Sequence, residues 1–412
     1  MIMPHHCRFC STPLATLVAD LGATPWSNSF LEPTKEAIAR EQAFPLQVMV
    51  CSECLLVQTT ETVPADEIFN AEYHYLSSFS TSWLDHSRRY AEKMIGRFNL
   101  DSTSQVVEVA SNDGYLLQYF AEKNIPVLGV EPAANAAKIA EGRNVPTHVA
   151  FFGQITASEL VARGIRADLT AANNVLAHVP DIADFVSGFP ILLKPDGVAT
   201  FEFPHLLQTI EGIQFDTIYH EHYSYLSLVA VERIFKTCGL HVFDVEELPT
   251  HGGSLRVYTQ LAGGKRPETA GLAKVRADEA AAGLMRMETY MAFGKRIAAV
   301  CEEFRAFLAD AKAEGKTVAA YGAAAKGNTF LNVCGLTSDD IAFIVDRNDL
   351  KQGKLSPGSH IPIHAPDELA AAKPDYVAIL PWNLTDEIVA ANDHVRSWGG
   401  RFVVAIPEVR VI

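Results

Sequence analysis

Four of the chain's seven cysteines fall in its first 54 residues as two tight pairs, Cys7-x2-Cys10 and Cys51-x2-Cys54, with forty residues between the pairs. Each CxxC turn aims two thiolates at one point, and two such turns complete a tetrahedral zinc shell. So long a gap requires the intervening segment to form a small subdomain of its own. Four thiolates leave no open position on the metal, so the zinc expected at Cys7, Cys10, Cys51 and Cys54 is structural. His5 and His6 adjoin the first pair but read as exposed N-terminal residues rather than ligands. The remaining cysteines, Cys238, Cys301 and Cys334, are scattered, and an odd total argues against a disulfide framework.

At 412 residues, 48% of them hydrophobic and 20% charged, the chain has material for two to three globular domains. Its net charge of −15 makes it a poor partner for nucleic acid or an anionic membrane, although a locally basic pocket can still hold a small anion. The start, MIMPHHCRFC, lacks a signal-peptide layout, and no apolar run approaches the ~20 residues of a membrane span. A soluble, cytoplasmic protein is expected. Nothing in the sequence marks a dimerisation helix, so the oligomeric state is left open.

The fold expected is α/β in three parts. Residues 1–70 hold the cysteine pairs and short strand-like pieces, PLQVMV and LLVQTT. Residues 71–260 begin with an aromatic run, EYHYLSSFSTSW, and an amphipathic helix. They then alternate apolar strands (QVVEVAS, PVLGVEP, ADLTAANN, GVATFEF) with helical segments, the pattern of a mainly parallel sheet. Residues 261–412 open with long linker helices over 271–313, interrupted at Gly283 or Gly294. KTVAAYG, IAFIVD, YVAIL and RFVVAI then restart the rhythm as a second Rossmann-like unit.

The segment QVVEVASNDGYLLQYF reads as strand, turn, helix. Glu108 at the strand end, then Ala110, Ser111, Asn112, Asp113 and Gly114, match the first motif of class I S-adenosylmethionine (SAM) methyltransferases. Small loop residues let the backbone approach a cofactor, and a carboxylate can hold its ammonium group. The next strand ends at Glu131-Pro132, about 20 residues past the loop start, where a carboxylate binds ribose hydroxyls. A further strand ends at Asn173 and Asn174, with Leu176 placed along the cofactor. The rival is a dinucleotide fingerprint, from which two of three glycines are missing; a plain strand–helix turn also stays open.

The densest polar-aromatic cluster is FDTIYHEHYSYLS, with Tyr219, His220, Glu221, His222, Tyr223 and Tyr225. It reads as a general-base loop, because a histidine with an ordinary pKa near ~6.5 is ready to take a proton at working pH. A second metal on His220, Glu221 and His222 would need a fourth ligand that is not evident, and a histidine-rich helix cap is the bland alternative. Tyr75 and His178 are further candidates. In the C-terminal unit, Tyr321, Ala324, Lys326 and Asn328 form a small-residue turn whose backbone amides and lysine suit a phosphate or pyrophosphate, or else simply let a helix pack closely. Asp346, Lys351, Lys354 and His360 lie in a loop after a strand, and Trp382 and Asn383 end another; ligands bind at such places in open α/β sheets.

Taken in order, CxxC…CxxC, SNDG, AHVPD, IYHEHYSYLS, HGGSLR and YGAAAKGN resemble the sugar C-3'-methyltransferases of deoxysugar biosynthesis over nearly the whole chain. The resemblance implies a zinc-binding N-terminal domain, a central SAM domain and a C-terminal domain that helps bind a nucleotide-sugar, dTDP-linked by preference. It implies that Tyr75, His178, Tyr219, Glu221 and His222 line the reaction centre, with His222 the base that forms an enolate at C3 beside a 4-ketone. Two positions depart from the pattern: Ala110 replaces a glycine of the SAM loop, and His220 stands where other members carry Asp. O- or N-methylation of another metabolite, and a zinc-bearing scaffold without activity, are the alternatives, as is a GDP-linked substrate.

Overall fold

The computed structural model describes residues 5–60, 64 and 76–412; Tyr75 lies outside the described residues. Strands β1 (Thr16–Thr24), β2 (Phe44–Val50) and β3 (Val57–Thr59) form an antiparallel meander that carries both CxxC turns. In β2, buried and partly exposed residues alternate, as expected of a strand with one face on a core.

The central unit begins with the helix Thr81–Phe98, capped by Ser80, whose side chain accepts the Trp83 N–H. There follow β4 (Val106–Val109), β5 (Val127–Val130), β6 (Thr147–His148), β7 (Ala167–Asn173) and β8 (Leu193–Pro204). All four residues of β4 are buried, as befits a strand covered on both faces. β9 (Ser224–Tyr225) leaves this unit to pair with β3, becoming the fourth strand of the N-terminal sheet. β10 (Leu240–Leu248) and β11 (Ser254–Leu261) return as a hairpin beside β8. The sheet order is β10-β11-β8-β7-β4-β5-β6, parallel from β8 to β6. The chain moves one way from β4 to β5 and β6, then crosses back to β7. The loop after β4 therefore opens at a topological switch point, where open α/β sheets bind ligands.

Helices Ala270–Ala281 and Met287–Ala313 lead to the last unit. Gly283 breaks them at φ +83°, whereas Gly294 stays helical, and there a Cβ would stand 3.0 Å from the Val18 carbonyl of β1. β12 (Val318–Tyr321), β13 (Ile344–Val345), β14 (Ile363–His364), β15 (Tyr376–Ile379), β16 (Arg401–Val404) and β17 (Arg410–Val411) lie in the order β14-β13-β12-β15-β16-β17, with only β17 antiparallel. Here β12 is the switch strand, and the turn that follows it is Gly322-Ala323-Ala324.

The three units share their apolar interior. One cluster joins Val18 and Leu46 of the first sheet to Phe215, to Tyr290 and Phe304 of the long helix, and to Phe330 and Ile344 of the last unit. Another joins Cys51 and Leu56 to Phe201, Phe203 and Val231 of the central unit. Among the described residues no helix is long and apolar enough to cross a membrane.

Candidate active site and metal centre

The two CxxC turns converge. The Sγ atoms of Cys7, Cys10, Cys51 and Cys54 all lie within 4.8 Å of one another, with Cys7–Cys54 at 3.5 Å and Cys10–Cys51 at 3.4 Å. Tetrahedral zinc with Zn–S bonds of about 2.3 Å needs sulfurs at about this separation, so the donor set fits zinc. Gln58 Nε2 donates to Cys7 Sγ at 3.2 Å, the outer-shell support a thiolate ligand calls for. His5 and His6 are not part of the group.

At the other switch point the loop after β4 is held in a conformation few side chains adopt. Ala110, Asn112 and Gly114 have φ of 57°, 47° and 77°. At Gly114 a Cβ would meet Ala140 and Val145 at 3.2 Å, which explains the glycine there. Glu131 braces the loop: its two oxygens accept the Asn112 and Ala133 N–H groups, each at 2.9 Å. Burial pushes its carboxyl upward against those two hydrogen bonds. Glu108 is fully buried and pushed well above the usual carboxylate range, first by burial and then by Glu131 and Asp113, with the Tyr115 hydroxyl opposing. Asp113 pairs with Arg143 at 3.1 Å and with Ser78 Oγ, and Asn112 Oδ1 takes the Ser77 N–H at 2.9 Å. The turn Ser77–Phe79 is thereby tied to the loop. Ser111 Oγ and Asn174 Oδ1 are buried polar atoms without a hydrogen-bond partner among the described residues. Asn173 ends β7 and Asn174, at φ 53°, follows it; Leu176 is buried in the turn beyond. A polar cofactor at the ends of β4 and β7 fits these atoms.

The histidine loop lies between the units. His222 Nδ1 lies 2.9 Å from the Thr217 carbonyl and must donate to it, since a carbonyl only accepts. In the neutral ring the lone pair therefore sits on Nε2, and the Tyr219 hydroxyl is there at 2.8 Å. His178 follows the same rule, its Nδ1 donating to the Glu221 carbonyl at 2.7 Å. The two rings stand 4.6 Å apart, edge to face. Burial drives the His222 imidazole well below its ordinary value, and His178, His251 and Lys326 add to it. Burial takes His178 down to about 4 against the opposing hydrogen bond to the Glu221 carbonyl. The Glu221 carboxyl is pushed up by burial, with Asn28 Nδ2 donating to its Oε1 at 3.3 Å. His220 turns the other way, toward the Phe44 and Pro45 carbonyls.

From the C-terminal unit, Lys326 Nζ lies 4.6 Å from the centre of the Trp382 ring and donates to Asn383 Oδ1 at 2.8 Å. Trp382 Nε1 donates to the buried Asp216 at 2.8 Å. Burial lowers the Lys326 ammonium and raises the Asp216 carboxyl, each opposed by the other's charge. On the far side of the same turn, Lys351 Nζ donates to the Ala323 carbonyl at 2.7 Å and sits 4.9 Å from the Phe30 ring centre. Asp346 accepts the Ala323 N–H at 2.7 Å. Lys326, Trp382, Asn383, Asp346, Lys351 and Ala324 thus surround the switch turn, with Tyr321 at the end of β12. Asn328 is fully buried and donates to the Ser27 carbonyl at 2.7 Å. His360 pairs with Glu41 at 2.7 Å, and Lys354 lies 3.9 Å from Glu32; both face the N-terminal segment.

Several contributors carry no motif of their own. Asn28 reaches Glu221 from a loop between β1 and β2. Glu202, wholly buried in β8, pairs with Arg256 at 2.6 Å and lies 3.0 Å from His86. His251, left-handed at φ 55° in the HGGSLR turn, meets the Trp83 ring edge-on. Beside it, a Cβ on Gly252 would lie 2.5 Å from Trp382. The double glycine of HGGSLR was the one available signal for this close approach.

Family models match along the chain in the same order as these parts. A zinc binding domain matches residues 7–69, a methyltransferase domain 83–245, and a C-methyltransferase C-terminal domain 249–407. The chain is 37% identical over 406 residues to the C-methyltransferase NovU of Streptomyces niveus, covering 98% of this chain and 96% of that one. It is 24% identical over 157 residues to a ubiquinone biosynthesis O-methyltransferase of Rhodopseudomonas palustris, covering 33% of this chain and 62% of that one. Among solved structures, a magnesium protoporphyrin IX methyltransferase from Synechocystis with bound SAH aligns with a TM-score of 0.35 at 13% identity, over 43% of this chain and 82% of that one. With its four-cysteine zinc-binding domain, class I SAM-dependent methyltransferase fold and C-terminal domain, the chain belongs to the C-methyltransferase family.

Proposed function

We propose that this C-methyltransferase acts at C3 of a nucleotide-linked 4-keto-deoxysugar, dTDP-linked by preference, in the cytoplasm as part of deoxysugar biosynthesis. Residues 1–70 form the zinc-binding part, 71–260 the SAM part and 261–412 the linker helices and nucleotide-sugar-binding part. The observation that carries the reading is the tautomer of His222. Its Nδ1–H is committed to the Thr217 carbonyl, so Nε2 is the basic atom. Burial keeps the ring neutral and ready to accept a proton.

The loop from Glu108 to Gly114, Glu131-Pro132 and Asn173, Asn174 and Leu176 would hold SAM, which would supply an electrophilic methyl group. The chain's own residues do the rest. A carbon becomes a nucleophile only after losing its proton, and the neighbouring ketone makes C3–H acidic enough. His222 Nε2 takes that proton, and the C–H electron pair moves to form the enolate of C3, C4 and O4. The Tyr219 hydroxyl turns from Nε2 to the enolate oxygen, where donors lower the barrier. C3 is then the nucleophile for the methyl that bound SAM would supply: the S–CH3 bond would break as C3–CH3 forms, S-adenosylhomocysteine would leave, and the C4 carbonyl would re-form. Glu221, held by Asn28, orients the loop, and His178 and Tyr75 shape the pocket. Lys326, Lys351 and the turn at β12 hold the diphosphate, with Tyr321, Ala324, Asp346, Trp382 and Asn383 completing that side, while Asn328 and His360 tie the unit to the N-terminal segment.

The test is proton exchange. In D2O without SAM, wild-type protein should place deuterium at C3 of a dTDP-4-keto-deoxysugar, and His222→Asn should not, with SAM affinity by calorimetry unchanged within about twofold. Methylation without any such exchange in the wild type would overturn the enolate route in favour of transfer to oxygen or nitrogen.

A further inference from the structure

We infer that Arg8 is a positioning residue for His222, reaching from inside the zinc site to hold the peptide beside the base. The inference rests on the reading of His222 just given. Arg8 follows Cys7 within the first CxxC turn. Its Nη1 donates to the Thr59 carbonyl at 2.8 Å and its Nη2 donates to the Tyr223 carbonyl. The guanidinium carbon lies 5.6 Å from the centre of the Tyr223 ring. Its backbone N–H donates to Gln58 Oε1 at 2.9 Å, and the same amide donates from Nε2 to Cys7 Sγ at 3.2 Å. Arg8 thus links the two sites through one residue: its backbone N–H joins the Gln58 amide that supports the Cys7 thiolate, and its guanidinium joins the Tyr223 carbonyl.

Tyr223 is the residue after His222, and its backbone is held on both sides. Its N–H donates to the Ala177 carbonyl at 2.8 Å, one residue before His178. Its carbonyl also accepts the Thr59 N–H at 3.1 Å, and the pairs Val57–Tyr225 and Gln58–Ser224 continue that register. The loop that carries the base is therefore fixed to the turn Leu176–His178 beyond β7 on one side and to the zinc knuckle on the other. A zinc staple for the fold alone would need no side chain from the knuckle to reach this loop. A planar guanidinium fork holds the Thr59 and Tyr223 carbonyls at a fixed spacing, which the freely rotating donors of an ammonium do not impose.

The test compares zinc-loaded Arg8→Met and Arg8→Lys with wild type, after metal content and SAM affinity are checked. The direct readout is the 15N titration of the His222 ring, assigned with His222→Asn and independent of any substrate. Tyr219, His178, His251 and Lys326 face that ring and are unchanged by the substitutions. In Arg8→Met the His222 midpoint should rise toward its ordinary value as the loop admits water, with Arg8→Lys between the two. On substrate, kcat should fall roughly 10- to 100-fold with KM nearly constant, because misplacing a base by ~1 Å has that scale of effect. A zinc-replete Arg8→Met with an unmoved His222 titration and wild-type kcat would overturn the inference. If Arg8→Met releases zinc, the same comparison on Arg8→Lys decides. A moved titration in a protein that never turns over 4-ketosugars would refute the sugar reading and uphold the positioning.

Discussion

Tyr219 donates its hydroxyl proton to Nε2 of His222 at 2.8 Å, so the basic lone pair is already occupied before any substrate arrives. The ring proposed as the base is aimed by the Thr217 carbonyl on one side and capped by a phenol on the other. This separates the two residues' roles. His222→Asn removes the base and should lower kcat by about 10²–10⁴-fold. Tyr219→Phe removes the cap and the enolate donor but leaves the base, so its loss should be smaller, about 10²-fold or less. Steady-state kinetics of both variants would settle the order, and equal losses would mean that the pair acts as a unit.

The pH dependence follows from burial. On the proposed mechanism the reaction needs neutral His222, whose midpoint lies well below 6.5, so kcat/KM should stay level down through pH 6.5 and fall only as pH approaches the depressed midpoint. Stability runs the same way. His178 is lowered to about 4 in the fold but titrates near ~6.5 when unfolded, so the unfolded state binds more protons as pH drops below 6.5. At pH 5 this destabilises the fold by up to ~2 kcal/mol. Melting temperature measured from pH 7 to pH 5 should fall, and less steeply in His178→Gln.

How much of this was legible in the sequence depended on whether the chemistry was local. The CxxC pairs and the SNDG loop announce themselves because each packs its donors within a few residues, and the strands β4, β7, β8 and β12 each carry a short run of mostly apolar residues. β9 is two residues long, and its partner β3 lies more than 160 positions earlier; no periodicity can reveal such a strand. β10 escaped for another reason: FDVEEL carries acids that pair with Lys93, Arg97, Arg256 and Lys274, so its pattern reads as polar. The histidine cluster was visible, but the tautomers depend on the Thr217 and Glu221 carbonyls, whose direction is a property of the folded loop. Of the C-terminal residues singled out, His360 is drawn to Glu41, an acid in the segment between β1 and β2 that offered no motif.

Zinc removal has a specific signature. Cys51→Ser breaks the tetrathiolate shell, and metal analysis should show loss of the zinc with a melting temperature lower by roughly 10 °C or more. Because β3 and β9 are paired, the mutant should lose turnover further than its unfolded fraction accounts for, a comparison best made at 10 °C, well below the transition.

Gly252 joins the two halves of the site. At φ +86° a side chain is strained, and a Cβ would stand 2.5 Å from Trp382 and 2.9 Å from the Gln214 amide. Gly252→Ala should cost about 1–3 kcal/mol by denaturant unfolding. It should also weaken binding of dTDP more than that of SAM, because Trp382 and its neighbour Lys326 must move; calorimetry with both ligands measures the difference.

Glu202 and Arg256 form an ion pair inside the sheet. Burial alone would raise the Glu202 carboxyl, yet the His86 hydrogen bond and the Arg256 charge outweigh it and bring it down to about 2. Arg256→Met leaves that charge buried without its partner and should destabilise the protein by about 3–5 kcal/mol. In the wild type the stabilisation is present above the ordinary carboxylate range and lost as pH falls toward 2. Glu202→Gln together with Arg256→Met should recover part of the loss in a double-mutant cycle.

The late arrival of β9 bears on how the protein is made. During synthesis the cysteine turns leave the ribosome before the central sheet and can gather their zinc, but the sheet they cap has an open edge at β3 until Ser224 and Tyr225 emerge. A nascent chain would carry that bare edge through the making of the whole parallel run from β4 to β8. Grafting the first seventy residues onto another protein would export the same unpaired edge, so the cysteine region is a poor candidate for transplantation by itself.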